Sequence, residues 1–231
     1  MHKKISCCQE PHFLFSWFGT VGLIFFLICS NFIYPADRFT VETIKKVRES
    51  LNRIKPFRVD FVQQVASESK HNAAIDLEES GDILFKNDQQ LRWVYLKPDY
   101  KVFLLEGDKY RFYDQDNEQI TIGRIKDRSH QWIWQLLFSD DVFRFASAKE
   151  KEKPVKIRIK NDAESLNVEI SVTQDFLPSQ VIQVDPSGAR MIYYFKNYHP
   201  NVAIPDNAFQ LNVPNDVETI YDEDGENKDK I

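Results

Sequence analysis

The sequence contains three cysteines, and none of them lies after residue 30. Cys7, Cys8 and Cys29 all fall in or beside an N-terminal segment with the character of a targeting signal. The remaining chain therefore has no thiol, which excludes a disulfide framework, a cysteine-zinc site and a cysteine nucleophile. A domain without thiols is also easily tolerated in an oxidising compartment.

Glycine is scarce as well, with seven residues in a chain of 231. Phosphate-cradling loops and dinucleotide-binding turns need clustered glycines, and neither motif is present. The histidines after residue 36, which are His71, His130 and His199, are spread along the chain, and no H-E-x-x-H or G-x-S-x-G motif occurs. A catalytic site built from dispersed carboxylates stays open, because such pairs meet only in space.

Two short motifs resemble functional sites but lack the surroundings that such sites need. Ser67-Glu68-Ser69-Lys70 has the S-x-x-K spacing of one class of serine hydrolases, but it lies in a polar loop without the companion motifs. Residues 114–118 resemble the start of a calcium loop, but Gln119 stands where that loop requires glycine. We interpret the first as a chance match and the second as a solvated hairpin loop, so no metal or other cofactor is expected.

The net charge of −5 is concentrated at the C-terminus, where residues 216–231 carry seven carboxylates against Lys228 and Lys230. The rest of the chain is close to neutral, which argues against a nucleic-acid partner. The acidic segment also lacks a hydrophobic face, so we expect residues 216–231 to form a disordered tail.

The N-terminus reads as a secretory leader, because two lysines precede an uncharged run over residues 13–34. This run of 22 residues is also long enough to span a bilayer. Ala36 offers only a weak cleavage point, and the bulky Ile28 before Cys29 argues against a lipoprotein signal. Residues 1–36 are therefore predicted to be a signal peptide or an uncleaved inner-membrane anchor, and both place the domain outside the cytoplasm.

Residues 40–54 have the period of an amphipathic helix, with Thr40 as the expected N-cap. Acidic and basic residues mix on its polar face, and its apolar stripe consists of Val41, Ile44, Val47, Leu51 and Ile54. The mixed charges favour a helix that covers a sheet over one that lies on a membrane surface.

Residues 81–114 alternate between apolar and polar positions, which predicts antiparallel strands with one aromatic face. Glu106-Gly107-Asp108 supplies a tight hairpin turn within them. Further strands are predicted at residues 57–63, 119–125, 153–160, 166–172, 178–184, 191–195 and 209–213. The order of elements lacks a βαβ rhythm, so we expect an α+β fold with about eleven strands in an antiparallel sheet that curls.

A second helix is predicted at residues 129–138, capped by Ser129. Its apolar side chains cover about two-thirds of the helix circumference, so the helix must be covered on more than one side. It is therefore expected either to be deeply buried or to turn one side towards a cavity that a ligand fills.

A series of short motifs runs in order through residues 40–220. It begins with Phe57-x-Val59-x-Phe61-x-Gln63, Gly81-Asp82-Ile83, Leu91-Arg92-Trp93-Val94-Tyr95 and Phe112-Tyr113. It ends with Leu177-Pro178, Tyr194-Phe195-Lys196-Asn197 and Phe209-Gln210-Leu211-Asn212-Val213-Pro214. In order and spacing these motifs resemble the LolA family of periplasmic lipoprotein carriers.

This resemblance implies an incomplete, half-open antiparallel β-barrel at residues 37–215, with helices packed on its concave side as a lid. It implies a monomeric, non-enzymatic carrier that holds the acyl chains of lipidated proteins. Such a carrier takes its cargo from an ABC-type extractor in the inner membrane and passes it to an outer-membrane acceptor. The residues then expected to line the lipid-binding cavity are Phe61, Phe85, Leu91, Trp93, Tyr95, Phe103, Leu105, Tyr110, Phe112, Trp132, Ile133, Leu136 and Leu137.

One position departs from the family pattern. Many members carry an Arg-Pro pair after the strand that begins with Gly-Asp, and that arginine is tied to gating of the lid. Asn87-Asp88 stands there in this sequence, so the role is not carried over, and Arg92 is the nearby basic residue for a gating or partner contact. A same-fold carrier or sensor for another lipid or glycolipid, either soluble or anchored in the inner membrane, is therefore an alternative, and an envelope hydrolase is a second one.

Overall fold

The computed structural model describes residues 36–66, 75–125, 142–162, 165–205, 207–214 and 216–222. The leader up to residue 35, the predicted helix at residues 129–138 and the tail after residue 222 lie outside the described residues. Within the described ranges, no helix has the length and hydropathy needed to cross a bilayer. The choice between signal peptide and anchor stays a prediction.

Helix α1 spans Arg38–Ile54 and begins slightly earlier than predicted. Asp37 is the N-cap: its carboxylate accepts hydrogen bonds from the Thr40 hydroxyl (2.6 Å) and from the Thr40 backbone N–H (3.0 Å). These bonds hold the pKa of Asp37 below its ordinary value. The prediction of Thr40 as N-cap is wrong because the helix begins earlier, at Arg38. Aspartate also suits the N-cap position, and the Asp37 carboxylate accepts a bond from one of the free N–H groups of the first turn.

The remaining described elements are strands and one short helix. In chain order they are β1 (Phe57–Ala66), β2 (Ile75–Asn87), β3 (Gln90–Lys97), β4 (Lys101–Glu106), β5 (Lys109–Asp114), β6 (Gln119–Arg124), α2 (Val142–Phe145), β7 (Ala146–Ala148), β8 (Lys156–Asn161), β9 (Leu166–Val172), β10 (Pro178–Val184), β11 (Arg190–Pro200) and β12 (Glu218–Tyr221). The predicted turn at Gly107, whose φ is +67°, joins β4 to β5 as expected.

These strands form one sheet in the order β12, β6, β5, β4, β3, β2, β1, β11, β10, β9, β8, β7. Neighbours are antiparallel except β12 and β6, which are parallel. Within the described chain, the terminal strands β12 and β7 do not pair with each other, so the barrel is open. The predicted half-open antiparallel β-barrel is confirmed.

One prediction about the C-terminal region is wrong, and a second is wrong over the four residues that form a strand. Residues 209–213 are not a strand. They lie in the segment 202–217, which we call the C-terminal strap, and there Leu211 packs on an apolar patch of the outer face. The alternation of apolar and polar residues in the strap therefore reflects packing on the outer face of the sheet and not hydrogen-bonded pairing with another strand. Within the predicted disordered tail, Glu218–Tyr221 forms β12, because backbone pairing with β6 needs no hydrophobic face.

Alternation along the strands gives the sheet an apolar concave face. Cross-strand pairs carry this face from strand to strand: Phe57 opposes Phe85, Phe85 opposes Leu91, and Leu91 opposes Leu105. Helix α1 packs on it with its apolar stripe, and the buried helix residues Ile44, Val47 and Leu51 share one core cluster with these strand residues. The concave face is thus the main core of the domain.

Both ends of α1 are fastened to the sheet. At the first end, the Ala148 backbone N–H in β7 donates to the Thr40 hydroxyl oxygen (2.8 Å). Just beyond the last turn, Lys55 Nζ forms an ion pair with Asp88 in the β2–β3 turn (2.5 Å). A helix of 17 residues is roughly 25 Å long, so α1 runs from the β7 edge of the sheet to the β2–β3 turn.

Gly81 in β2 lies where two strands approach closely. A β-carbon at this position would be 1.8 Å from the Val94 carbonyl oxygen and 2.8 Å from the Val94 carbonyl carbon. The strand register shifts beside it, between Ser80 and Gly81, which is typical of a bulge that bends a sheet. Glycine is therefore required here by backbone contact.

We expect Gly81→Ala to destabilise the fold by about 1–3 kcal/mol, because the Val94 backbone must move to admit the methyl group. Urea unfolding measures the change. Gly107→Asn is the control: no atom lies within 4 Å of the added β-carbon, and asparagine tolerates a positive φ. Equal stability of Gly81→Ala and the wild type would show that the strands can separate at no cost.

Asp82 occupies the outer face beside another carboxylate. It lies opposite Asp60 in β1 and opposite Val94 in β3. Burial raises the pKa of Asp82, the charge of Asp60 raises it further, and the guanidinium groups of Arg58 and Arg92 offset only part of this rise. A carboxyl group whose pKa is raised in the folded state destabilises that state when it is ionised.

We therefore expect Asp82→Asn to stabilise the protein at neutral pH by about 0.2–1 kcal/mol, the usual range for cross-strand charge pairs. The gain should shrink as the pH falls through the raised pKa of Asp82, because below it the wild-type carboxyl group is also neutral. Asp185→Asn should act in the opposite direction, since hydrogen bonds from Ser187 lower the pKa of Asp185. Thermal melts at several pH values test both signs, and a pH-independent gain for Asp82→Asn would contradict the electrostatic cause.

Candidate functional site

The nine predicted cavity residues on β1 to β5 share the concave face. Seven are buried, and Tyr110 and Phe112 in β5 are half-buried; the seven are Phe61, Phe85, Leu91, Trp93, Tyr95, Phe103 and Leu105. All nine belong to, or pack against, the core cluster that includes α1. The four predicted lid residues, Trp132, Ile133, Leu136 and Leu137, lie outside the described residues, and their role stays a prediction.

Aromatic rings connect these residues across strands. Trp93 meets Phe61 edge-on at 5.0 Å between ring centres and Tyr193 edge-on at 5.5 Å. Phe103 stacks on Tyr110 at 5.6 Å. Edge-to-face and offset stacked arrangements are the ones that aromatic pairs prefer. The concave face is thus a continuous aromatic surface from β11 through β1 to β5.

The sequence pattern missed three members of this surface, which are Phe57, Tyr193 and Phe195. Phe57 stacks on Phe85 at 5.0 Å, and Tyr193 stacks on Phe195 at 6.3 Å. Their alternation was visible, but the pairing of β1 with β11 joins segments that are distant in sequence. Nothing local therefore indicated that β11 extends the same aromatic face.

One end of the concave face is polar, although it is buried. Glu79 accepts hydrogen bonds from Lys101 Nζ (2.8 Å) and from Gln63 Nε2 (3.2 Å). The Tyr95 hydroxyl donates to Gln63 Oε1 (2.9 Å). The Glu79 side chain is only 6% exposed, whereas that of Lys101 is 21% exposed. We refer to these four residues as the polar cluster.

The protonation states of the polar cluster follow from its contacts. The hydrogen bond from Lys101 to Glu79 raises the pKa of Lys101, so the ammonium group stays charged at neutral pH. Burial raises the pKa of Tyr95 and of the neighbouring Tyr193, so both hydroxyl groups stay protonated. The cluster therefore holds a charged ammonium group and a neutral tyrosine hydroxyl beside an otherwise apolar surface.

Arg92 lies on the opposite face from the predicted cavity residues. Its Nη1 donates to the Ala208 carbonyl oxygen in the C-terminal strap (3.0 Å), and Arg111 Nη2 donates to that of Phe209 (3.3 Å). Leu211 completes the contact by packing on Val94, Val102 and Leu104. Arg92 thus fastens the strap to the outer face, while a gating or partner contact for it stays untested.

A groove of about 610 Å³ separates the strap from the sheet. Lys86 lies over the Phe209 ring at 5.8 Å from its centre, and Arg111 pairs with Glu106. Further lining residues include Gln90 and Pro205. None of the nine predicted cavity residues that the structure describes lines this groove, so it is distinct from the concave face.

Asn87 and Asp88, which depart from the family pattern, have structural roles in the β2–β3 turn. Asn87 Oδ1 accepts the Gln89 backbone N–H (2.9 Å), as in other turns that asparagine stabilises. Asp88 binds Lys55 at the end of α1, and the Lys55 ammonium also lies 5.2 Å from the centre of the Phe85 ring. This turn is therefore attached to the helix by an acidic side chain.

The acidic loop after β5 is a hairpin turn. Asp114 Oδ1 accepts the backbone N–H groups of Asp116 (3.1 Å) and Asn117 (3.4 Å), so its carboxylate stabilises the turn. The nearby charge of Asp99 raises the pKa of Asp116. Among the residues that the structure describes, no group of three or more potential metal ligands converges.

Comparisons with known proteins agree with this architecture. The sequence model of the family described as Outer membrane lipoprotein carrier protein LolA matches residues 52–212. An outer-membrane lipoprotein carrier protein of Pasteurella multocida (strain Pm70) is 23% identical over 180 residues, which cover 77% of this chain and 86% of the relative. One from Pectobacterium carotovorum subsp. carotovorum (strain PC1) is 24% identical over 179 residues, which cover 76% and 86%.

The fold alone is also shared with a solved structure. An uncharacterised conserved protein from Thermus thermophilus superimposes with a TM-score of 0.50 at 12% sequence identity, covering 79% of this chain and 98% of the other. The open antiparallel barrel with a helix across its apolar face thus defines the structural class. The family match extends over most of the domain, and the chain belongs to the LolA family.

Removal of the Arg92 guanidinium tests how the strap is held. We expect Arg92→Met to cost about 1–3 kcal/mol, because the Ala208 carbonyl loses a charged donor. Hydrogen exchange should rise within residues 202–217 more than in β3 or β4. Lys160→Met, at an exposed surface ion pair, is the control and should change stability by about 0.5 kcal/mol or less. Unchanged exchange in the strap would show that Arg92 does not hold it.

Proposed function

We propose that this protein is a periplasmic carrier that binds the acyl chains of lipidated proteins on its concave face. One observation carries the proposal: a LolA-family chain presents a continuous aromatic and aliphatic surface inside an open barrel, with α1 packed across part of it. The relatives named above are outer-membrane lipoprotein carrier proteins. The function in their names is therefore the first hypothesis for this chain.

The energetics of acyl chains explain why a carrier needs such a face. Each buried CH₂ group is worth about 0.8 kcal/mol, so exposed chains would insert into a membrane or aggregate. A soluble carrier protein must cover these chains with apolar side chains and must still release them. An open barrel suits both needs, because its concave surface can be reached without separating paired strands.

We propose the nine sheet residues of the concave face as the lipid-contacting set, with β5 as its accessible part. Tyr110 and Phe112 are half-buried, whereas residues nearer to α1, such as Phe57 and Phe85, are almost fully buried. Side chains that retain exposure beside a core are the ones that cargo can reach first. The lid residues at 132–137 are proposed to complete the site.

The proposed route follows from the same family membership. The carrier would receive its cargo from an ABC-type extractor in the inner membrane and deliver it to an outer-membrane acceptor. It would act as a monomer, without a cofactor and without nucleic acid. The N-terminal leader would direct it to the periplasm as a soluble or tethered protein, and the function proposed is binding and transport without catalysis.

A same-fold carrier for another lipid or glycolipid is the second candidate. The observation that favours it is Asn87-Asp88, where Asp88 binds Lys55 and attaches the β2–β3 turn to α1 by a negative charge. Native mass spectrometry of protein expressed together with lipoproteins separates the candidates. A bound triacylated polypeptide supports the first, a bound free lipid supports the second, and an empty protein contradicts both.

Phe112→Gln tests the concave face directly. We expect this change to weaken binding of a fluorescent fatty acid or a triacylated peptide at least tenfold, while the melting temperature falls only slightly because Phe112 is half-buried. Leu211→Gln is the matched control: it is also half-buried but lies on the outer face. Equal losses of binding in the two variants would contradict the proposed site.

A further inference from the structure

The polar cluster places an ion pair inside a surface that is otherwise apolar. Lys101 is the first residue of β4 and lies opposite Tyr95 in β3. Glu79 is in β2 and lies opposite Gln63 in β1. A buried ion pair is a weak source of stability, because removing two charges from water offsets most of their attraction. Packing alone therefore gives no reason for charges at this position.

The position of the cluster relative to the aromatic rings is defined by strand register. On β4, Lys101 is followed on the same concave face by Phe103 and Leu105, which oppose Trp93 and Leu91. At the strand rise of about 3.3 Å per residue, this row is roughly 13 Å long. A ligand with an apolar chain along the row would place its other end at Lys101.

The hydrogen-bonding capacity of the cluster is not used up. Both Glu79 oxygens already accept a bond, one from Lys101 and one from Gln63. An ammonium group has three donors, and in the described part of the chain the Lys101 ammonium bonds to Glu79. The Lys101 side chain is also more exposed than that of Glu79. Lys101 can therefore donate to a further acceptor that arrives from the open side.

The charges around Lys101 restrict what that acceptor can be. Its ammonium is paired with Glu79, and Asp114 and Asp99 add two further carboxylates whose charges act on it. One positive group thus faces three negative ones. An anionic head would gain one donor but be repelled by the excess negative charge, whereas a neutral carbonyl oxygen would gain the donor without that repulsion.

We propose that the polar cluster binds the head of the lipid and selects a neutral, carbonyl-bearing head, an acyl ester or amide, over a free carboxylate. Lys101 donates to the carbonyl oxygen, and Glu79 holds the ammonium in place and cancels its charge. This inference rests on the proposed function, because it assigns the polar end of the ligand whose chains lie on the concave face. It makes Glu79 and Lys101 the residues that determine head-group specificity.

Two ligands with the same twelve-carbon chain test the selectivity: monolauroylglycerol, which has a neutral ester head, and laurate, which is anionic at about pH 8. The affinity of each ligand is measured by its displacement of a fluorescent lipid probe from the purified protein. We expect the ester to bind at least tenfold more tightly than laurate to the wild type. Equal affinity, or a preference for laurate, would overturn the inference.

Glu79→Gln provides a gain-of-binding test. The amide keeps the size of the side chain and removes one of the three negative charges around Lys101. Laurate should therefore bind several-fold more tightly, and the ester preference should fall. Glu79→Gln combined with Lys101→Met removes both charges and should lower the affinity for the ester while laurate gains nothing. Lys109→Met, at the far end of the β4–β5 hairpin, is the control and should leave the preference unchanged.

The outcomes separate this inference from the function on which it rests. If the wild type binds a triacylated peptide but Glu79→Gln leaves the ester-to-laurate ratio unchanged, the head-group site is wrong and the carrier function stands. If a folded wild type binds neither the triacylated peptide nor either twelve-carbon ligand, the carrier function itself is wrong. Thermal melts of every variant confirm that a change in ratio is read from folded protein.

Discussion

The antiparallel ladder between β1 and β11 is the contact on which the rest of the structure depends. It joins a meander of the first half of the chain, β1 to β6, to a meander of the second half, β7 to β11. Phe61 opposes Phe195 and Gln63 opposes Tyr193 in this ladder, so the two meanders present one continuous concave face. Without it there would be two small sheets, and α1 would lack the surface on which its apolar stripe packs.

The two faces of this sheet make different contacts. The concave face is aromatic, is covered in part by α1 and ends in the polar cluster. The outer face is fastened to the C-terminal strap by arginine bonds to backbone carbonyl groups, of which Arg92 to Ala208 is the shorter. Since alternate residues of each strand serve opposite faces, a single strand such as β3 supplies Trp93 to one surface and Arg92 to the other.

The local periodicity of the sequence predicted most of the helices and strands. The features that it missed depend on contacts between residues that are distant in sequence. The strand at 166–172 and the turn at Gly107 follow from alternation and turn residues, which are properties of neighbouring positions. The same pattern wrongly predicted a strand within the strap. Leu211 is apolar there because it packs on the outer face of the sheet, and it does not belong to a paired strand. The Glu79–Lys101 pair was invisible for a related reason: its members lie on strands that are not adjacent, and no local pattern brings them together.

The late position of β11 in the chain has a consequence for biogenesis. A chain that crosses a membrane from its N-terminus exposes β1 to β6 long before residues 190–200 emerge, and these strands cannot complete the sheet until then. Pairings between distant segments form slowly, and unpaired strand edges invite aggregation while they wait. The final strand, β12, then covers the exposed edge of β6. For the exported carrier proposed above, translocation therefore has to keep an incomplete, aromatic sheet from contacting other chains until residues 190–200 have emerged.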